Sequence, residues 1–118
     1  MPELHSSDAY TAYFRDVVFR ECAVWVAEAR GTLVGFCASR EDWIDHLYLL
    51  PDYVGQSIGA TLLEKAKAGQ ASLQLWVFQQ NTKAQRFYAR HGFRKVKETD
   101  GASNAEKTPD ALFEWHAP

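Results

Sequence analysis

The period of the apolar positions changes several times along the chain, and each change marks an element. Tyr10, Tyr13, Phe14, Val17 and Val18 recur at i, i+3, i+4, i+7 and i+8. That spacing predicts an amphipathic helix over residues 7–20, with Ser6-Ser7-Asp8 as its cap. Residues 23–29 then read as a strand, Arg30-Gly31 as a tight turn, and residues 32–39 as the hairpin partner. After a polar loop, Ser39-Arg40-Glu41-Asp42, residues 43–50 form a third strand stopped by Pro51-Asp52. A glycine-containing loop leads into a helix with Gly59, Leu62, Leu63 and Ala66 on one face and Gly69 as its stop. Residues 72–78 are a strand. Asn81 or Thr82 caps a helix whose Ala84, Phe87, Tyr88 and His91 share a face, ended by Gly92. Residues 93–97 and 112–115 are short closing strands. Strands alternating with helices predict an α/β fold with a mixed sheet, in which strands 43–50 and 72–78 run parallel through a right-handed crossover.

Composition narrows the class. With 118 residues the chain suits one domain, residues 1–118, and 47% hydrophobic content with 24% charged is globular rather than disordered. The formal charge of −2 gives no overall pull toward nucleic acid or an anionic membrane. Cys22 and Cys37 sit in apolar stretches and read as small buried hydrophobes of a reducing compartment. The N-terminus lacks a signal-peptide pattern and no apolar run approaches ~20 residues, so a cytoplasmic protein is expected. The histidines His5, His46, His91 and His116 have no metal-ligand spacing, and no Gly-x-Ser-x-Gly is present.

Gly55-Gln56-Ser57-Ile58-Gly59-Ala60 joins a strand to a helix N-terminus. Backbone N–H groups there have no intrahelical partner and the helix dipole adds positive charge, so a phosphate or pyrophosphate is a natural guest. Taken alone, two glycines are a weak signal and a plain strand-to-helix connection accounts for them better. No Gly-Lys-Ser/Thr follows, and the spacing misses the dinucleotide fingerprint.

The flanking residues give the loop its meaning. The run from Ile44-Asp45-His46-Leu47-Tyr48-Leu49-Leu50 through Gly59-Ala60-Thr61-Leu62-Leu63 resembles the acetyl-CoA motif of the GNAT superfamily of N-acetyltransferases. Leu75 to Phe93 is similar to that family's second motif, Asn-x-x-Ala-x-x-Phe-Tyr followed by Gly-Phe, here Asn81, Ala84, Phe87, Tyr88, Gly92 and Phe93. Two departures stand out. Val54 occupies the usual Gln/Arg position, and Ser57 occupies the first glycine, which requires a negative φ there if serine is to sit comfortably as an N-cap. The resemblance also leaves out the usual first strand and helix. That region helps shape the acceptor side, and a homodimer could complete the sheet edge in its place.

From the resemblance follow acetyl-CoA as co-substrate, no metal, and a small-molecule or peptide amine as acceptor. The pantetheine arm would pair with strand backbone at Leu49 and Leu50, one of whose N–H groups would also face the developing oxyanion. The pyrophosphate would rest on Gly55, Gln56, Ser57, Ile58, Gly59 and Ala60. Asn81 would meet the cofactor near the pantetheine, and Lys83 or Arg86 its phosphate. Tyr88 is the implied general acid: the leaving thiol has an ordinary pKa of ~8.5 and a phenol ~10, so donation concerted with C–S cleavage is needed. By spacing alone Tyr88 suits a core position on the face shared with Ala84 and His91 better, and the motif context reverses that preference. For the base, Asp45 and His46 reach the reaction centre, imidazole having the suitable ordinary pKa. Alternation allows only one of the two to face the acceptor. Glu41 and Asp42 lie just before them, and the acidic group could instead attract a cationic amine while water relays the proton.

Two other readings compete. Arg86, Arg90, Arg94, Lys95 and Lys97, with His91, concentrate positive charge that could face solvent, cofactor phosphate or a polyanion. A degenerate family member that binds coenzyme A as a sensor or structural subunit would also carry Val54 and Ser57.

Overall fold

The computed structural model describes the backbone of residues 3–5, 11–19, 22–54 and 57–118, and the side chains of residues 16–17, 22–54 and 57–118. It divides into two compact units, Met1–Gly69 and Gln70–Pro118, each described by itself.

The first unit is an antiparallel meander of β1 (Glu3–His5), β2 (Thr11–Phe19), β3 (Cys22–Ala29), β4 (Thr32–Arg40) and β5 (Trp43–Leu49), followed by α1 (Ile58–Lys67). The helix expected over residues 7–20 is overturned. Residues 11–19 form a strand whose pairing runs from Ala12 opposite Ala29 to Phe19 opposite Cys22. Thr11, Tyr13, Phe14, Val17, Val18 and Phe19 are β-branched or aromatic, the types that fit a pleated sheet best. A 3.6-residue pattern over so short a segment carries less weight than nine paired residues. The Ser6–Asp8 cap and Tyr10 lie outside the described residues.

The turns follow local chemistry. Arg30 (φ 54°) and Gly31 (φ 76°) both adopt left-handed backbone, the two-residue form that matches strand twist. The expected four-residue loop at Ser39–Asp42 contracts to Glu41-Asp42, with Glu41 at φ 55°, so β4 and β5 also form a tight hairpin. One face of β3–β5 packs under α1, whose Ile58, Gly59, Leu62, Leu63 and Ala66 are buried as the pattern required. Lys65 Nζ of α1 lies 4.9 Å from the Trp25 ring on that face. On the opposite face Val24, Val26 and Ala38 cluster with Val17, Cys22 and Phe36.

The second unit pairs β6 (Ser72–Phe78) and β7 (Arg94–Thr99) on either side of β8 (Asp110–His116), both antiparallel to it, with α2 (Thr82–Arg90) between β6 and β7 in sequence. Leu73, Leu75, Val77, Tyr88, Phe93, Ala111 and Phe113 form its core. Gly92 at φ 91° ends α2 as expected. The closing strands are longer than predicted, and at the start of β8 Asp110, alone among the buried polar residues described, is held by Thr99 Oγ1 and Asn104 Nδ2 (3.1 Å), which both donate to its carboxylate.

Candidate functional site

In the first unit the site is built where β5 gives way to α1. Leu50 follows the strand and caps a single 3-10 turn, Pro51–Tyr53. Its N–H donates to the Val34 carbonyl at 2.9 Å, so that amide is engaged within the sheet. This separates Leu50 from Leu49. Antiparallel pairing alternates bonded and non-bonded pairs. With Leu50 bonded to Val34, the Leu49–Gly35 pair is the non-bonded kind, and the Leu49 N–H points away from β4. Gly35 makes this packing possible: a Cβ there would lie 2.6 Å from Leu49 Cδ2 and 2.8 Å from the Tyr48 carbonyl oxygen.

Gly55 and Gln56 lie outside the described residues. Ser57 departs from expectation: it stands at the N-cap of α1 but at φ 66°, ψ 2°, and its side chain makes no capping bond. The negative φ that serine would need is therefore not present, and the backbone keeps the left-handed geometry in which glycine is comfortable. The first bonds of α1 run from Thr61 N–H and Thr61 Oγ1 to the Ser57 carbonyl, both 3.0 Å. Ile58, Gly59 and Ala60 thus present helix-terminal N–H groups with no partner further back in the helix, and no acidic residue stands in the first turn. A cluster of amide donors without competing carboxylate suits a pyrophosphate. Val54 is half exposed and contributes no charge.

The candidate bases differ in surroundings. The β4–β5 register shifts so that Ala38 faces His46 and Ser39 faces Ile44, leaving Asp45 as the extra, unpaired residue. Simple alternation therefore fails at that point, and Asp45 and His46 are both exposed. Arg40 Nη2 reaches Asp45 Oδ1 at 3.5 Å. The His46 ring is 6.3 Å from that of Phe36, which also lies 6.0 Å from Tyr48.

In the second unit Asn81 caps α2 as predicted, its Oδ1 accepting from the Ala84 N–H at 3.1 Å. Lys83 and Arg86 are exposed on the helix. Tyr88 is the one buried residue of α2, its ring centroid 5.4 Å from Phe87, 5.6 Å from Phe93 and 6.5 Å from Phe113. It is thus a core aromatic as well as the motif tyrosine. The basic run is exposed at Arg90, Arg94, Lys95 and Lys97, with Lys95 bound to Glu98 (2.8 Å) and Lys97 Nζ 6.0 Å from the Trp76 ring. Sequence reasoning missed Gln79 and Gln85, which anchor the start of α2 through main-chain carbonyls. A carbonyl acceptor leaves no side-chain motif to find.

Comparison with known proteins identifies the family. The family model of the acetyltransferase (GNAT) domain matches residues 20–95. An uncharacterised N-acetyltransferase of Archaeoglobus fulgidus is 34% identical over 111 residues, covering 80% of this chain and 74% of that protein. Peptidyl-lysine N-acetyltransferase YjaB of Salmonella typhimurium is 36% identical over 92 residues, covering 75% of this chain and 63% of that protein. The solution structure of apo-form YjaB from Escherichia coli superposes with a TM-score of 0.70 at 28% identity, over 78% of this chain and 63% of that one. Other curated relatives, from Methanocaldococcus jannaschii and Mycobacterium bovis, are spanned over about half their length (47% and 53%). With the family domain matched across more than half of its 118 residues, and an N-acetyltransferase aligned over most of both chains, this protein belongs to the GNAT family of acetyl-transferring enzymes.

Proposed function

We propose that the chain, as one catalytic domain over residues 1–118, transfers the acetyl group of acetyl-CoA to a primary amine by direct attack in a ternary complex. The observation that carries this reading is the start of α1, where Ile58, Gly59 and Ala60 offer amide donors and no carboxylate competes. Gly55, Gln56 and Ser57 complete the pyrophosphate loop. Leu49, whose N–H is turned away from β4, pairs with the pantetheine arm and donates to the oxyanion as the amine adds. Asn81 meets the cofactor near the pantetheine, and exposed Lys83 and Arg86 meet its phosphate.

An alkylammonium must lose a proton before it attacks. His46 takes this role, because Asp45 is engaged by Arg40. The adduct nitrogen releases its extra proton to solvent, the C–S bond breaks as the adduct collapses, and Tyr88 gives its proton to the leaving sulfur, to be recharged from solvent. Because YjaB is named a peptidyl-lysine N-acetyltransferase, a lysine side chain in a peptide is the first acceptor to test. Steady-state release of coenzyme A thiol with such a peptide and with small aliphatic amines is the experiment. Acetylated amine formed one-for-one with free thiol supports the proposal, and no release with any amine contradicts it.

Ser57 in left-handed backbone and the uncharged Val54 favour one second reading, a coenzyme A-binding relative without turnover. Tight acetyl-CoA binding without thiol release would select it.

A further inference from the structure

α2 is nine residues long and buries a single side chain, Tyr88. Its ring packs against Phe93 and Phe113 and seats the C-terminal half of the helix. A second fixed point is present, and it is polar. Gln85 Nε2 donates to the Gln79 carbonyl at 2.7 Å and to the Phe78 carbonyl at 3.5 Å. Gln79 is in turn immobilised from three sides. Its N–H donates to the Pro109 carbonyl (2.9 Å), and its Nε2 donates to the carbonyls of Thr99 (2.9 Å) and Asp110 (3.0 Å). Those carbonyls belong to the end of β7 and the start of β8, which the buried Asp110 carboxylate ties together.

The geometry points to Gln85 and Gln79 as positioning residues that hold the N-terminal end of α2, and with it Asn81, where the cofactor is to be met. The inference rests on the function proposed above. Asn81 and Tyr88 are seven residues apart, about 10 Å along the helix axis. A helix released at Gln85 but still seated at Tyr88 displaces Asn81 more than the tyrosine. Loss of the second fixed point therefore weakens acetyl-CoA binding and leaves the chemical step nearly intact.

The test compares wild-type protein with Gln85→Met, which keeps side-chain length but removes both donors, with Gln79→Met, and with Gln80→Ala as a control at an exposed neighbour. We expect Gln85→Met and Gln79→Met to raise the acetyl-CoA KM and the calorimetric Kd about tenfold. The same variants keep kcat and the amine KM within about twofold, and speed hydrogen exchange at the Ala84 amide that bonds to Asn81. Gln80→Ala should match the wild type. Unchanged acetyl-CoA affinity in both methionine variants overturns the inference, as does an equal loss of kcat and affinity. If one variant fails to fold, the other carries the test. Wild-type protein that does not bind acetyl-CoA contradicts the proposed function instead, and Ala84 exchange then still reports whether Gln85 fixes the helix.

Discussion

Ser57 bears the clearest strain in the candidate site. A non-glycine residue in left-handed backbone costs about 1–2 kcal/mol, and glycine returns about 0.5–1 of that through its own backbone entropy. Ser57→Gly is therefore expected to stabilise the protein by about 0.5–1 kcal/mol, a rise in Tm of a few degrees, measured by thermal unfolding. Acetyl-CoA should bind the variant at least as well as the parent, because no capping bond is lost. A lower Tm would mean that the serine side chain contributes a contact that offsets the strain. Cys37 is a second residue whose chemistry is set by its surroundings. Burial beneath α1 pushes its thiol from 9.0 up to about 12. The folded protein thus keeps a proton that the unfolded chain surrenders near pH 9.0. Stability from this group is whole below that pH and falls as pH rises toward 12. A disulfide reagent at pH 8 should label Cys22, which is partly exposed, and leave Cys37 unmodified until denaturant is added. Fast native labelling of both thiols would contradict this.

Among the elements, the β4–β5 hairpin delivers Leu49, and its weak tolerance lies at Gly35. A methyl group there meets a leucine side chain and, more seriously, a backbone carbonyl at 2.8 Å. Gly35→Ala should cost about 1–3 kcal/mol by denaturant unfolding and lower activity by displacing Leu49. Neutral behaviour would mean that the two strands part freely at this point. Much of this scale was legible in the sequence. The α1 face, the Asn81 cap, the Gly92 stop and β6 all follow from side-chain chemistry that acts within a few residues. β2 did not, because Tyr13, Phe14, Val17 and Val18 fit two periods and only pairing with β3 decides between them. The extra residue at Asp45 and the capture of the Leu50 N–H by Val34 were equally hidden, since both depend on register with another strand. Ser57 shows the reverse case: the family glycine pattern gave the correct backbone, and the residue identity pointed the wrong way.

At the scale of the molecule, the overall charge of −2 conceals a segment, residues 83–97, with six basic side chains (Lys83, Arg86, Arg90, Arg94, Lys95 and Lys97) and no acidic one. Its helical part begins at the candidate cofactor residues, so part of acetyl-CoA affinity should be electrostatic and weaken with salt. No helix among the described residues is long and apolar enough to cross a membrane. The proposed chemistry requires that the chain bind acetyl-CoA and use Tyr88 to release the thiol. The most direct measurement is calorimetric titration of wild-type protein and Tyr88→Phe with acetyl-CoA, paired with turnover of the best amine. Micromolar binding by both proteins is predicted, with kcat of Tyr88→Phe lower by about 10²–10⁴-fold. No binding up to millimolar acetyl-CoA, or full turnover by the phenylalanine variant, would contradict it.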